Sequence, residues 1–310
     1  MWWNRVVSRA GARWSGAALE YVREADVNSR KILAAVTFLA AASLAAAQPK
    51  LQLRVFTSSP GGLWVNSTLV YGEKDAILID PQFLMSEAHR VVAGILESKK
   101  NLTTVYVTHA HPDHYFGLAV LKQAFPDARI VALPATVAGI KAGWDASYKT
   151  WASEHPGNVP AAGAIIPEEL RGKTLLLEGE KLEITGGLMG DAPGNTMVWI
   201  PSLRAAIGGD ILFADVHFNV PRKREEWMKA LDRIAGLKPA IVIPGHQKVD
   251  ARQDLSILDF MKGYMRDFDA ALGASKSAAE FATAMKGRYA NLGMEPSLIS
   301  AAEAAFPTKK

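Results

Sequence analysis

The sequence predicts an α/β fold. Short runs rich in β-branched and aromatic residues alternate with stretches of helical periodicity. The 310 residues are 49% hydrophobic and 21% charged, enough for one large domain or two small ones with a full core. Several apolar runs stop abruptly at Gly, Pro or Asp, as strands do where they leave a sheet.

Residues 28–47 set a short basic region before an apolar run from Ile32 to Ala47, ending in Ala45-Ala46-Ala47. That pattern predicts a secretory signal peptide cleaved after Ala47, hence a periplasmic or secreted protein. The run is shorter than the ~20 residues a spanning helix needs, so no stable membrane anchor is expected. Translation is expected to start at Val27, with 1–26 an extension. Residues 1–47 then stand apart from a single domain over 48–310.

The domain opens with strands at Leu51–Thr57, Asn66–Tyr71 and Ala76–Ile79, separated by turn-forming residues. A helix is expected over Ser86–Lys99, a strand over 103–108, a helix over Gly117–Phe125 and a strand over Arg129–Ala132. Residues 140–172 are less regular. Trp144, Tyr148 and Trp151 share one helical face, as core packing or as a lid. Glu154–Pro167 reads as a long loop. Strands follow at Thr174–Leu177, Lys181–Thr185, Thr196–Ile200 and Ala205–Ile207. A helix is expected over Arg224–Ile234 and a strand over Ala240–Ile243. Residues 254–305 are helical by pattern, capping the domain or making a dimer contact; a monomer or homodimer is expected.

The chemistry concentrates in His109-Ala110-His111-Pro112-Asp113-His114, directly after an apolar strand. Crowded imidazoles and a carboxylate become mutually stabilising around a divalent cation. With no cysteine in the chain, a thiolate site and a disulfide framework are both excluded. The formal charge is +4, but residues 1–47 hold six Lys/Arg and three Asp/Glu. Removing them from totals of 35 and 31 leaves 29 basic against 28 acidic residues, so charge gives no argument for nucleic-acid binding.

His-x-His-x-Asp-His after a strand resembles the metallo-β-lactamase superfamily. So do Ala192-Pro193-Gly194-Asn195-Thr196, the Gly209-Asp210 turn and Pro244-Gly245-His246, in that order. The resemblance spans about residues 51–250 and implies a four-layer αββα sandwich with metals in a groove at the sheet edges. It implies that His109, His111 and a third histidine hold one zinc, that Asp113, His114 and His246 hold another, and that Asp210 bridges them. One or two Zn²⁺ are expected; Fe or Mn also suits such ligands. It further implies that Asp80, at a strand end, buttresses the histidine loop.

The sequence departs from the family at one ligand. Asn195 stands where the third histidine is usual, and a neutral amide is a weaker zinc ligand than imidazole. The favoured expectation is one dominant metal on Asp113, His114, Asp210 and His246; the alternative fills both positions, with Asn195 bonding water or substrate. Asp191 is a further candidate substitute ligand. Asp113 is expected to orient and deprotonate a water, His111 to act as acid or base, and Asn195 to donate to an oxyanion. His217 is expected to face the substrate or lie exposed; Trp64, Phe83, Trp144 and Tyr148 are candidate pocket walls or packing residues. His89 and His155 are expected to be ordinary.

These readings lead to an exported metal-dependent hydrolase of a small molecule with an ester, lactone, thioester or amide bond. The alternatives are a β-lactamase with an atypical metal site, or a non-catalytic or redox member of the fold.

Overall fold

The computed structural model describes residues 50–161, 163–221 and 224–307. The expected extension and signal peptide, 1–47, lie outside the described residues. Pro49–Lys310 makes one compact unit. Among the described residues no helix is long and apolar enough to cross a membrane.

Six strands form the first sheet: β1 (Gln52–Thr57), β2 (Asn66–Tyr71), β3 (Asp75–Ile79), β4 (Asn101–Val107), β5 (Arg129–Ala132) and β6 (Glu168–Glu169), in spatial order β1 to β6. β1, β2 and β3 pair antiparallel; β3 to β6 run parallel. The parallel pairs need crossovers, supplied by α1 (Met85–Ser98), then by α2 (Leu118–Ala124), then by α3 (Pro134–Glu154). The second sheet has the order β12-β10-β9-β8-β7, with β7 (Thr174–Leu177), β8 (Glu180–Met189), β9 (Pro193–Ile200), β10 (Ala205–Ile207) and β12 (Ile241–Ile243). A short parallel pair, β11 (Phe213–Ala214) with β13 (His246–Gln247), carries the last histidine. The remaining helices are α4 (Arg224–Gly236), α5 (Ser256–Ala274), α6 (Ala278–Arg288) and α7 (Glu295–Ala305).

Three apolar layers hold four structural layers together. Between the sheets, Ile77, Ile79 and Tyr106 meet Leu182, Val198 and Ile243. Outside the first sheet, Leu78, Val105 and Val107 pack on Val91, Ile95, Leu121 and Ile140 of α1 to α3. Outside the second, Met197 and Val242 lie under Trp227, Leu231, Met261 and Phe281 of α4 to α6. Period-two burial explains the division. Ile77 and Ile79 face the inner layer, while Ala76 and Leu78 face the helices. This is the expected αββα sandwich, and α5 to α7 cap its second sheet.

The first part of the irregular region, to Glu154, belongs to the 21-residue α3, and the expected long loop follows; Pro134 sits in the first turn of α3. Proline there loses no helical hydrogen bond and has the right φ. β8 runs through to Met189, beyond the expected end at Thr185. Its pairing with β9 shifts register between Thr185 and Leu188, which hides the strand from a simple alternating pattern.

Candidate metal centre

Each ligand-bearing segment leaves the end of a strand at the same rim of the sandwich. β4 runs into His109–His114, the tip between β8 and β9 carries Asp191 with Asn195 just inside β9, β10 leads to Asp210, and β12 leads to His246. Glycines let these segments meet. A Cβ on Gly245 would lie 2.4 Å from Asp210 Oδ1, and one on Gly190 would lie 2.3 Å from the Asp210 carbonyl oxygen. No larger residue fits either place without moving Asp210.

Two groups of side chains converge, with Asp210 in both: His109, His111, Asp191 and Asp210, and Asp113, His114, Asp210 and His246. Asp210 turns one oxygen to each. Its Oδ2 lies 3.2 Å from His109 Nε2 and 3.3 Å from His111 Nδ1. Its Oδ1 lies 3.0 Å from His114 Nε2 and 3.2 Å from His246 Nε2. The Asp113 Oδ2 is 3.3 Å from His246 Nε2 and 3.7 Å from His114 Nε2.

Hydrogen bonds on the far side of each ring fix where the protons are. The Leu63 carbonyl can only accept, so His246 carries a proton on Nδ1, 2.7 Å away. The Asp80 carboxylate takes the Nδ1 proton of His114 at 2.8 Å. Asp80 also accepts from the Thr108 N–H at 2.8 Å and the Thr108 hydroxyl at 2.7 Å. With its proton given to Asp80, that hydroxyl accepts from His109 Nδ1, 2.9 Å away. Asp80 therefore orients two histidines, one directly and one through Thr108. His109, His114 and His246 are each engaged outward through Nδ1 and turn Nε2 inward.

The inward side crowds ring nitrogens against carboxylates. His114 Nε2 and His246 Nε2 are 3.3 Å apart. Asp210 Oδ1 has two nitrogens beside it and no hydrogen bond to either. Lone pairs and carboxylates gathered in this way fit a cation. A tetrahedral ion with bonds of ~2.0 Å sets its ligand atoms about 3.3 Å apart, close to the separations above. The residues present fit a divalent metal.

Charges in the metal-free protein follow the same crowding. Burial works against every ion here, and the neighbours decide the sign. For Asp210 burial is outweighed by His114, His246 and His109, which hold its carboxyl well below the usual range. Asp113 is likewise lowered, by His114 and His246 against burial. His246 is pushed up to about 10 and His111 to about 9 by carboxylates that overcome burial. His114 is also raised well above its ordinary value, against burial, by Asp210, Asp80 and Asp113. In His109 burial wins and the pKa falls. Burial, then Asp210, raises Asp191 to about 7. Two protonated Nε2 atoms 3.3 Å apart would set hydrogen against hydrogen. The geometry therefore favours one shared cation over two imidazolium ions.

Residues 60–246 match the metallo-beta-lactamase superfamily. The chain belongs to that superfamily. The solved structures it resembles include a metallo-beta-lactamase family protein from Thermus thermophilus, at 20% identity and TM-score 0.55, covering 82% of this chain and 93% of that one. A beta-lactamase domain protein from Burkholderia ambifaria gives 16% identity and TM-score 0.58 over 84% of each chain. A metallo-beta-lactamase from Pontibacter korlensis gives 18% identity and TM-score 0.50 over 71% of this chain and 96% of that one. At these identities the likeness is one of fold. No curated protein matches the chain.

Two sequence expectations change, at Asn195 and His217, and the aromatic alternatives are decided. The Asn195 side chain is fully buried; its Nδ2 donates to the Ala192 carbonyl at 3.0 Å and its Oδ1 has no partner. The group short of a partner is an acceptor, whereas an oxyanion needs a donor. His217 is neither exposed nor free, since it is 2% exposed and its Nδ1 meets the Tyr264 hydroxyl at 2.9 Å. Phe83 is fully buried against Trp151 and Phe116, not on a pocket wall. Trp144 stacks on Tyr148 and packs on Tyr115 and Phe116, the residues that follow His114. Those aromatics support the histidine loop from behind. His155 joins them, edge-on to Phe83. Trp64 is half-buried beside the Val65–His246 bridge, the one aromatic of the four in the segment that meets a ligand.

The sequence reading passed over Thr108 and the Leu63 carbonyl. A threonine at a strand end and a backbone oxygen carry no signal of their own. Thr108 also ties the sheets together, because its carbonyl accepts from Thr196 Oγ1 at 2.7 Å.

Proposed function

We propose that the chain is a metal-dependent hydrolase of a small molecule with an ester, lactone, thioester or amide bond. The observation that carries this reading is the convergence of Asp113, His114, Asp210 and His246, with each ring hydrogen-bonded outward through Nδ1 and turning Nε2 to the centre. These residues would hold a divalent ion, with zinc the first candidate for a nitrogen and oxygen set. Bound there, the ion supplies Lewis acidity and lowers the pKa of a water from ~15.7 towards ~7.

The chain's own residues do the rest. Asp113 stays ionised at neutral pH, and its side chain is one of the less enclosed carboxylates of the centre. With Oδ2 facing His246 and His114, its Oδ1 is the oxygen available to orient a water and take its proton. His111 is the one imidazole of the centre with substantial exposure, 35% for its side chain. It marks the open side, where substrate would approach and a proton could be passed to a leaving group. His109, His114 and His246 are enclosed and hold position.

The signal-peptide pattern at 28–47 supports action outside the cytoplasm, where β-lactams are among the possible substrates. Family membership alone does not select the bond. The test is a panel of esters, lactones, thioesters and nitrocefin, with metal content measured on the same sample. Turnover of at least one class, lost in a folded Asp113→Ala variant, supports the proposal. A metal-loaded protein inactive on the whole panel, or an Asp113→Ala variant as active as its parent, rules it out.

A further inference from the structure

We infer that Asp191 replaces the histidine missing at position 195, so that His109, His111, Asp191 and Asp210 hold a metal ion of their own beside the one already proposed. The inference rests on the metal-dependent reading and extends it from one ion to two.

The carboxylate has the placing of a ligand. Asp191 Oδ2 lies 3.3 Å from His111 Nδ1. The same nitrogen is 3.3 Å from Asp210 Oδ2, which is 3.2 Å from His109 Nε2. These separations repeat those of the second group, and both match the edge of about 3.3 Å that a four-coordinate ion imposes. The other Asp191 oxygen is buried and makes no hydrogen bond. A carboxylate enclosed beside Asp210 with one oxygen unmatched lacks a cation or a donor.

The backbone holds it there. The Asp191 N–H donates to the Asp210 carbonyl at 3.1 Å, and the Gly190 N–H closes the turn on the Ala192 carbonyl at 3.1 Å. Gly190 allows this approach, since a side chain would strike the Asp210 carbonyl oxygen. The tip between β8 and β9 is thus fastened to the bridging residue itself. Asn195 completes the turn by donating to the Ala192 carbonyl. In this chain position 195 shapes the loop, and the charge needed for ligation sits four residues earlier.

The consequence is a nearly symmetric pair of positions. Each has two imidazoles, one carboxylate of its own and one oxygen of Asp210. A carboxylate in place of an imidazole makes the first position harder, and suits Mn²⁺ and Fe²⁺ as well as Zn²⁺.

Chelator-stripped full-length protein titrated with Co²⁺, followed by visible absorption and elemental analysis, tests the inference. Wild type is expected to hold two equivalents and Asp191→Asn one. A single equivalent in wild type, or two in Asp191→Asn, overturns the inference and leaves the hydrolase reading standing. No equivalent in wild type removes both. Should Asp191→Asn fail to fold, anomalous diffraction from wild-type crystals soaked in Mn²⁺ decides. A peak bonded to the Asp191 carboxylate supports the inference; a first-position peak bonded to Asn195 and clear of Asp191 overturns it.

Discussion

Asp80→Asn perturbs the metal centre without removing a ligand. Asp80 accepts three buried hydrogen bonds, from the Thr108 N–H, the Thr108 hydroxyl and His114 Nδ1. Asparagine keeps the shape but has one acceptor oxygen. If that oxygen keeps the Thr108 N–H, the new NH₂ faces the hydroxyl and the imidazole. The hydroxyl can rotate and accept. His114 must then either lose its partner or move its proton to Nε2, where it blocks the inward lone pair. Leaving a buried donor unmatched costs about 1–3 kcal/mol. That is roughly a 5- to 150-fold loss of affinity, which brackets the 10- to 100-fold typical of such outer hydrogen bonds. We expect the metal dissociation constant to rise about 10- to 100-fold, read by competition against a chromophoric chelator on protein whose urea unfolding is also recorded. An Asp80→Asn variant that binds metal within about threefold of wild type would show that proton placement on His114 does not govern affinity.

Two further outcomes follow from the same structure. Metal at 100 times its dissociation constant stabilises by about 2.7 kcal/mol, so chelation should lower Tm by about 5–10 °C in a domain of this size. Unchanged melting in a thermal-shift assay on stripped protein argues against a cation in the folded state. His217 is pushed down to about 4 by burial, with Lys286 adding to the shift and Glu295 opposing it. Its folded pKa is below the unfolded value of about 6.5, so its contribution is complete above that pH and drains as pH falls towards 4, by at most about 3 kcal/mol. His217→Gln should flatten the fall in urea midpoint between pH 7 and pH 4, and an unaltered slope would contradict the assignment.

Much of this was legible in the sequence because the signals are local. Asn66–Tyr71, Arg129–Ala132, Thr174–Leu177 and Ala205–Ile207 have the expected bounds, since alternation and turn residues are read over a few positions. The histidine stretch declared itself because its ligands are adjacent. α3 was only partly visible. Its weak amphipathicity reflects aromatics packed on the histidine loop and small residues where it crosses that loop, as at Gly139 against Ala110. His217 was misplaced, and Phe83 was left open between wall and packing, because exposure depends on what folds over a residue, and α5 and α3 come later in the chain.

By itself the sequence determined most strands and helices and the strand-end motifs, because hydrophobic periodicity and adjacent ligands are properties of short segments; the layers were implied by the resemblance those motifs carry. Only the tertiary structure decided how the centre is completed. It brings Asp191 against His111, and it gives Asp80 to both His114 and Thr108. It also spends the Asn195 amide on a turn. The Asp191 and Asp80 pairings join residues far apart in the chain, so no short segment announces them; the Asn195 turn is local, but which way its amide faces depends on the packing around it.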